Sequence, residues 1–228
     1  MSPLSYPLPW GTRTYIMGIL NVTPDSFSGD GLIADPERGL ERALEQARAF
    51  VAAGVDILDV GGESTRPGSQ PVSAAEEIER VVPVIEAIAG DGLDVLISVD
   101  TYKANVAEAA LQAGAHWVND VWALRADPDL TGVAAQFACP IVLMHNRIKP
   151  GSAELTERLG GRYIGIDYAD LIEDIKAELL SSVDIALAGG VKKEMIILDP
   201  GIGFGKTVEQ NLELLDRPNN ASSTSAGI

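Results

Sequence analysis

At 228 residues, with 46% hydrophobic side chains, the chain can bury a substantial core, most simply as one domain. Its net charge of −16 repels nucleic acid and anionic membranes and makes both poor partners. The apolar runs fall far short of the roughly 18 residues that cross a bilayer. A single cysteine, Cys139, excludes a disulfide within the chain and fits a reducing, cytoplasmic compartment.

Short apolar segments alternate with amphipathic segments along the whole chain, and the apolar ones predict buried parallel strands. The predicted strands are residues 14–22, 55–60, 94–99, 116–121, 140–145 and 195–199. The predicted helices are residues 36–53, 73–90, 103–113, 130–138, 168–187 and 208–215. Residues 1–13 form an N-terminal extension, residues 14–216 the domain, and the polar residues 217–228 a tail that we expect to be disordered.

Strict alternation of strands and helices implies a parallel α/β sheet, either doubly wound or closed as a (β/α)₈ barrel. We favour the barrel because polar side chains follow nearly every predicted strand: Asn21, Thr65, Arg66, Asp100, Asn119, His145 and Asp199. The functional site of a barrel lies at the C-terminal ends of its strands, whereas a doubly wound sheet binds ligands at one switch point. The expected fold is therefore a TIM-type barrel, incomplete, with about six βα units instead of eight.

A glycine-rich segment, residues 199–207, follows the last predicted strand. Its spacing excludes a P-loop, which needs glycine where Pro200 stands, and a dinucleotide fingerprint, which needs glycine where Lys206 stands. Asp199 lies where the strand ends. It either contacts a ligand or caps the following helix.

Three of the polar strand ends have the chemistry to hold a flat heterocycle. The carboxylates of Asp100 and Asp199 accept paired N–H bonds from an amino-pyrimidine, and Asn119 both donates and accepts. The alternative for each residue is a helix cap or a salt bridge at the barrel mouth. Three such residues on separate strands favour the ligand interpretation.

The segment from Asn21 to Gly31 is rich in carboxylate, amide and hydroxyl oxygens, which suit Mg²⁺, although a polar surface loop has the same composition. Arg66 can clamp a phosphate or carboxylate with two hydrogen bonds, or form a salt bridge at the rim. Phe204 and Met144 are expected to be wall residues.

Two long motifs, residues 17–31 and 59–68, closely resemble the signature segments of the dihydropteroate synthase family. Four shorter segments fit the same family in the same order: residues 98–101, 119–120, 143–145 and 199–206. The resemblance extends from about residue 14 to residue 216.

The resemblance implies a barrel enzyme of folate biosynthesis, a homodimer that joins 6-hydroxymethyl-7,8-dihydropterin diphosphate to 4-aminobenzoate and releases diphosphate. It implies Mg²⁺ on Asn21, and the pterin on Asp100, Asn119 and Asp199. The remaining implied substrate contacts are Asp25, Phe27, Thr65 and Arg66, which help to place the aminobenzoate, and Phe204 as an apolar wall. The implied catalytic residues are Arg66, Asp100 and Asp199: the two carboxylates stabilise a cationic pterin methylene while Arg66 and the metal draw off diphosphate.

The family pattern also implies two further strands after residue 216, one ending in a Ser-Arg-Lys-Ser-type segment and the last in Arg-x-His. Neither segment occurs in this sequence. We therefore expect a C-terminally truncated synthase with little or no activity, without the family's dimer interface, and we assign Lys206 no role. The alternatives are a non-catalytic pterin-binding remnant and a pterin-dependent methyltransferase; the segments around Asp25 and Arg66 argue against the methyltransferase.

Overall fold

The computed structural model describes residues 8–23, 36–64, 71–147 and 167–217, in which six strands alternate with α-helices as predicted. The strands are β1 Met17–Asn21, β2 Ile57–Gly61, β3 Leu96–Asp100, β4 Trp117–Asp120, β5 Ile141–Met144 and β6 Ile196–Asp199. The helices are α1 Pro36–Ala52, α2 Ala74–Gly90, α3 Ala104–Gln112, α4 Leu130–Phe137, α5 Leu171–Ala188 and α6 Val208–Asp216, and a 3₁₀ turn, Lys193–Met195, precedes β6. The predicted alternation and the count of about six βα units are confirmed.

The described residues form two compact units, the first ending at Asn119 and the second beginning at Asp120. In the first unit, β1, β2, β3 and β4 pair in parallel in that order. In the second unit, β5 pairs with β6 in parallel. The carboxyl ends of the paired strands in each unit therefore lie along one edge.

Short polar side chains fix the beginnings of several helices. The hydroxyl of Ser73 accepts a hydrogen bond from the Glu76 N–H at the start of α2, and Thr207 forms a capping box with Gln210 at the start of α6. Helix α5 begins at Leu171, three residues later than predicted, because Asp170 caps it by accepting from two backbone N–H groups.

The strands differ in how completely they are buried. Every residue of β2 and β5 is buried. Strand β1 alternates instead, with Leu20 fully buried and Ile19 60% exposed, because successive side chains of a strand point to opposite faces. The expectation that every strand is covered on both faces is therefore wrong for β1.

Cys139 is buried, as expected of a small core residue, and burial raises the pKa of its thiol to about 11. Across the described ranges, none of the helices combines the length and the apolar character that a membrane span requires.

Residues 8–16 pack against the first unit at the beginnings of its strands. Arg13 donates two hydrogen bonds to the Asp56 carboxylate, at 2.8 and 2.6 Å, and the Ile16 N–H donates a third at 2.9 Å. The Trp10 ring lies 6.3 Å from that of Trp117. These contacts tie the predicted N-terminal extension to β2 and β4.

Candidate functional site

Three of the predicted site residues lie in one row across the first unit. Asn21 at the end of β1 is in register with Gly61 of β2, Gly61 with Asp100 of β3, and Asp100 with Asn119 of β4. All four residues occupy the C-terminal ends of their strands. The strand pairing thus brings together two amides and a carboxylate that lie between positions 21 and 119 of the sequence.

Gly61 leaves room for the Asp100 side chain within this row. A Cβ atom added at Gly61 would lie 3.3 Å from Asp100 Oδ2 and 3.4 Å from its Cβ. Contacts this short require the neighbouring atoms to shift. The side chain of Asp100 therefore lies against Gly61, and a larger residue at position 61 would displace its carboxylate.

A second layer of polar groups lies directly below the row and was missed by the sequence analysis. Asn119 donates from Nδ2 to Asp59 Oδ2 at 2.8 Å. Asp59 is 4% exposed, and burial raises the pKa of its carboxyl although Ser98 and Asn119 oppose the shift. The available signal was a carboxylate inside the apolar strand at residues 55–60, which is also the first residue of the second motif.

A buried ion-pair network holds the segment that follows β2. Lys103 Nζ donates to Glu63 and Glu77, each at 2.5 Å, and to the Val72 carbonyl at 2.6 Å. Burial raises the pKa of Glu77, whereas the two carboxylates outweigh burial and raise the pKa of Lys103. The short contacts are those of charged partners, so we assign Glu77 as ionised. This network positions backbone rather than ligand.

The second unit contains the other two described site residues, Asp199 and Phe204, around the glycine-rich turn. Asp199 Oδ1 accepts from the Gly201 N–H at 2.7 Å, and the Phe204 N–H donates to the Gly201 carbonyl at 3.1 Å. Burial raises the pKa of Asp199, while the Gly201 N–H and Lys206 oppose the shift. Asp199 thus uses one carboxylate oxygen to hold the turn.

Lys206, to which the sequence analysis assigned no role, is the buried centre of this turn. It is 3% exposed, and its Nζ donates to the carbonyls of Gly201 at 2.8 Å and Phe204 at 3.1 Å. Nζ also lies 3.2 Å from His145 Nδ1. Burial lowers the pKa of Lys206 to about 8, with Asp199 and Glu178 opposing.

His145, also buried, connects Lys206 to helix α5. Burial and the neighbouring Lys206 lower the pKa of His145 to about 4, so its imidazole is neutral at pH 7. A neutral ring donates from one nitrogen and accepts at the other. Nδ1 therefore accepts from Lys206, and Nε2 donates to Glu178 Oε2 at 3.0 Å.

Glu178 is shared with a cation on the segment after β5. Arg147 donates to Glu178 at 2.8 Å and to Asp174 at 2.9 Å, and its guanidinium lies 4.0 Å from the centre of the Tyr168 ring. The second unit therefore places two cationic side chains near the end of β5, each balanced by nearby carboxylates: Arg147 by Glu178 and Asp174, and Lys206 by Asp199 and Glu178.

The remaining predicted site residues, Asp25, Phe27, Thr65 and Arg66, lie outside the described residues. Asn21, the predicted metal ligand, is described and exposed. No group of three or more His, Cys, Asp or Glu side chains with metal-binding geometry occurs in the described ranges. One neutral amide oxygen at a strand end fits Mg²⁺, which keeps several waters and takes its other oxygens from substrate phosphates.

Comparison with known proteins gives one consistent result. The sequence profile of the family "Pterin binding enzyme" matches residues 17–225. A dihydropteroate synthase of Clostridium beijerinckii is 50% identical over 206 residues, which are 90% of this chain and 69% of the relative. The chain spans about two thirds of the length of such relatives.

Two solved structures are similar across almost the whole chain. A Clostridium difficile dihydropteroate synthase, determined in the presence of pteroic acid, has a TM-score of 0.80 at 46% identity, covering 93% of this chain and 73% of the other. A Xanthomonas albilineans dihydropteroate synthase with 4-aminobenzoic acid has a TM-score of 0.79 at 37% identity, covering 92% and 69%. These similarities confirm the predicted TIM-barrel type of α/β fold.

Proposed function

Because the chain belongs to the pterin binding enzyme family and its relatives are dihydropteroate synthases, we propose that it condenses 6-hydroxymethyl-7,8-dihydropterin diphosphate with 4-aminobenzoate. The products are 7,8-dihydropteroate and diphosphate, and the pathway is folate biosynthesis. The observation that supports this proposal most strongly is the row of Asn21, Gly61, Asp100 and Asn119 at the ends of neighbouring strands.

We assign the pterin ring to Asp100, Asn119 and Asp199. An amino-pyrimidine edge offers adjacent N–H donors, which a carboxylate accepts in pairs. Asp199 keeps one oxygen on the Gly201 N–H, so its second oxygen is the one available to the ring. Phe204, which follows in the same turn, supplies an apolar surface.

The reaction breaks the bond between the pterin methylene carbon and the diphosphate oxygen and forms a bond from that carbon to the aminobenzoate nitrogen. Positive charge develops on the pterin methylene as diphosphate departs. The carboxylates of Asp100 and Asp199 lower the energy of that charge in a site of low dielectric. The attacking amine then loses a proton, which leaves with water or diphosphate.

The leaving group needs cations, because the whole chain carries a charge of −16. Mg²⁺ held through Asn21 would supply positive charge at the diphosphate. Arg66 is the proposed side-chain clamp for the same group, and Asp25, Phe27 and Thr65 are the proposed contacts that place the aminobenzoate. The sequence has a single cysteine, Cys139, and this usage supports a reducing, cytoplasmic location.

The test combines turnover with a matched pair of variants. The full chain is incubated with both substrates and Mg²⁺, and 7,8-dihydropteroate is quantified by mass spectrometry. We expect weak turnover from this chain, and Asp100→Asn should lower kcat/KM further, by about 100-fold, because one charged contact to the transition state is lost. Asp91→Asn, which removes an aspartate paired with Arg48 on the surface, should leave kcat/KM unchanged. Equal activity of the two variants would contradict the assignment of Asp100.

A further inference from the structure

The contact between Asp59 and Asn119 is unusual because it joins two strands that are not neighbours. Asp59 lies on β2 and Asn119 on β4, with β3 between them. Ser98 of β3 is in register with Asp59, and its side chain is small enough for the two longer side chains to meet above it. The bond from Asn119 Nδ2 to Asp59 Oδ2 is 2.8 Å long.

Asp59 and the neighbouring Ser98 are both buried. Asp59 is 4% exposed and Ser98 0%. Among the described residues, Asp59 Oδ1 and Ser98 Oγ are buried side-chain atoms with no hydrogen bond of ordinary geometry. A buried carboxylate that satisfies only one of its oxygens costs stability. The one side-chain hydrogen bond of ordinary geometry that Asp59 does make is to Asn119 at the strand end.

The chemistry of the two groups fixes the orientation of the amide. The Nδ2 atom of Asn119 is the atom that faces Asp59, so the NH₂ group donates and the Asp59 Oδ2 atom accepts. The amide oxygen, Oδ1, is then the polar atom that Asn119 offers on its other side. An asparagine without this neighbour could present either end, because the two ends have nearly the same shape.

We propose that Asp59 is a positioning residue that makes Asn119 a hydrogen-bond acceptor toward the ligand. The pair thereby selects a heterocycle that carries an N–H donor, and not a ring nitrogen acceptor, on the edge facing Asn119. This inference rests on the proposed function, in which Asn119 contacts the pterin.

An exchange of the two side chains tests the inference. The variants are Asp59→Asn, Asn119→Asp and the double variant with both changes, and binding of 6-hydroxymethylpterin is measured by calorimetry. Asp59→Asn should weaken binding about tenfold, because the amide at 119 is then free to turn. Asn119→Asp should weaken it at least as much at neutral pH, because two adjacent carboxylates must share a proton.

The double variant should bind within about threefold of the parent, because the new amide at 59 donates to the new carboxylate at 119, which keeps an outward acceptor. The inference would be overturned if the double variant bound the pterin no more tightly than the weaker-binding single variant. It would also be overturned if the single variants bound it with the parental affinity. Rescue of this kind is not expected of a residue that only stabilises the fold.

Asp56→Asn is the matched control, since it makes the same change three residues earlier in the chain. It removes a contact with Arg13, so it should lower the thermal unfolding midpoint and leave pterin binding unchanged. Loss of binding in this control would show that any Asp-to-Asn change here disturbs the site, and would overturn the inference.

Two further readouts separate this inference from the proposed function. If the parent does not bind 6-hydroxymethylpterin at all, the pterin assignment of Asn119 falls and the inference with it. If the parent binds, the orientation is checked without ligand by the side-chain NH₂ signals of Asn119 in a ¹⁵N–¹H spectrum. One of these protons should be shifted downfield by Asp59 and should move in Asp59→Asn; unmoved signals would overturn the inference while leaving the proposed function intact.

Discussion

Asp56 and Asp59 are three positions apart in the sequence, yet their environments are opposite. Asp56, just before β2, receives two hydrogen bonds from Arg13 and one from the Ile16 N–H, and these contacts lower the pKa of its carboxyl. Asp59, farther along β2, has an amide partner and a nearby hydroxyl, and burial raises its pKa. The contacts of Asp56 favour the charged form of its carboxyl, whereas burial disfavours the charged form of Asp59.

The same difference separates the beginnings and the ends of the strands more generally. Near its beginning, β3 is tied to the segment before β4 by a hydrogen bond from the Ile97 N–H to His116 Nδ1. At the end of β6, Asp199 and Lys206 are buried charges with perturbed pKa values. The contacts at these strand beginnings are therefore satisfied pairs, whereas the end of β6 buries charged groups whose pKa values are perturbed.

A substitution that disrupts the turn after β6 should lower the free energy of unfolding the most. Gly201 has φ = +70°, and a Cβ atom there would lie 2.0 Å from the His145 carbonyl oxygen. Gly201→Ala should therefore lower the free energy of unfolding by about 4 kcal/mol, from a backbone clash added to left-handed strain. Urea denaturation followed by circular dichroism measures this change.

Gly203→Ala is the matched control for that variant. Gly203 also has a positive φ, +86°, but nothing lies within 4 Å of an added Cβ. Its cost should be only the conformational one, about 1 kcal/mol. Similar losses in the two variants would mean that the carbonyl of His145 does not constrain the turn.

Removing the buried amine at the same strand end should have the next largest effect. Lys206→Met leaves the Gly201 and Phe204 carbonyls and His145 Nδ1 without their donor. At about 1 kcal/mol for each lost hydrogen bond, unfolding should become easier by about 3 kcal/mol. The thermal unfolding midpoint of the variant is compared with that of Lys176→Met, which breaks an exposed pair with Glu173 and should cost less than about 0.5 kcal/mol.

The pH dependence of stability separates the cost of the charge on Lys206 from the hydrogen bonds that its amine donates. The folded pKa of Lys206, about 8, is lower than the ordinary lysine value of 10.5, so the unfolded chain binds more protons between these values. The parent should therefore gain stability at this position as pH rises from about 8 to about 10.5. Lys206→Met should lack that gain, and parallel pH profiles of the two proteins would refute it.

Sequence patterns predicted the elements and their polar ends well, because both depend on local regularities. The apolar runs that form β2 and β5 are continuous, and helix stops such as Gly54, with φ = +93°, follow from backbone geometry. The row of Asn21, Asp100 and Asn119 was also predictable, since parallel strands align their carboxyl ends at one edge.

The contacts beneath the row were not predictable, because they depend on which side chains meet across strands. Asp59 and Asn119 are 60 residues apart, and their bond requires the register of three strands. The role of Lys206 likewise depends on His145, which is 61 residues away. The sequence motifs contain these residues, but they do not indicate the partners that influence the pKa values of their side chains.

The smallest expected effect distinguishes the two aspartates by the sign of their pH dependence. Asp56 has a lowered folded pKa, so its stabilisation is present above the unfolded value of about 3.9 and is lost as pH falls through the folded pKa. Asp59 has a raised folded pKa, so its ionisation costs stability as pH rises from about 3.9 through the folded pKa. Relative to the parent, Asp56→Asn should therefore lose stability as pH rises from 2.5 to 5, by on the order of 1 kcal/mol or less. Asp59→Asn should instead gain stability relative to the parent at higher pH. The side chain of Arg13 is half exposed, and solvent screening therefore keeps the change in stability of Asp56→Asn small. Chemical denaturation at steps of half a pH unit measures both differences, and slopes of the same sign would show that the two ends of β2 are electrostatically alike.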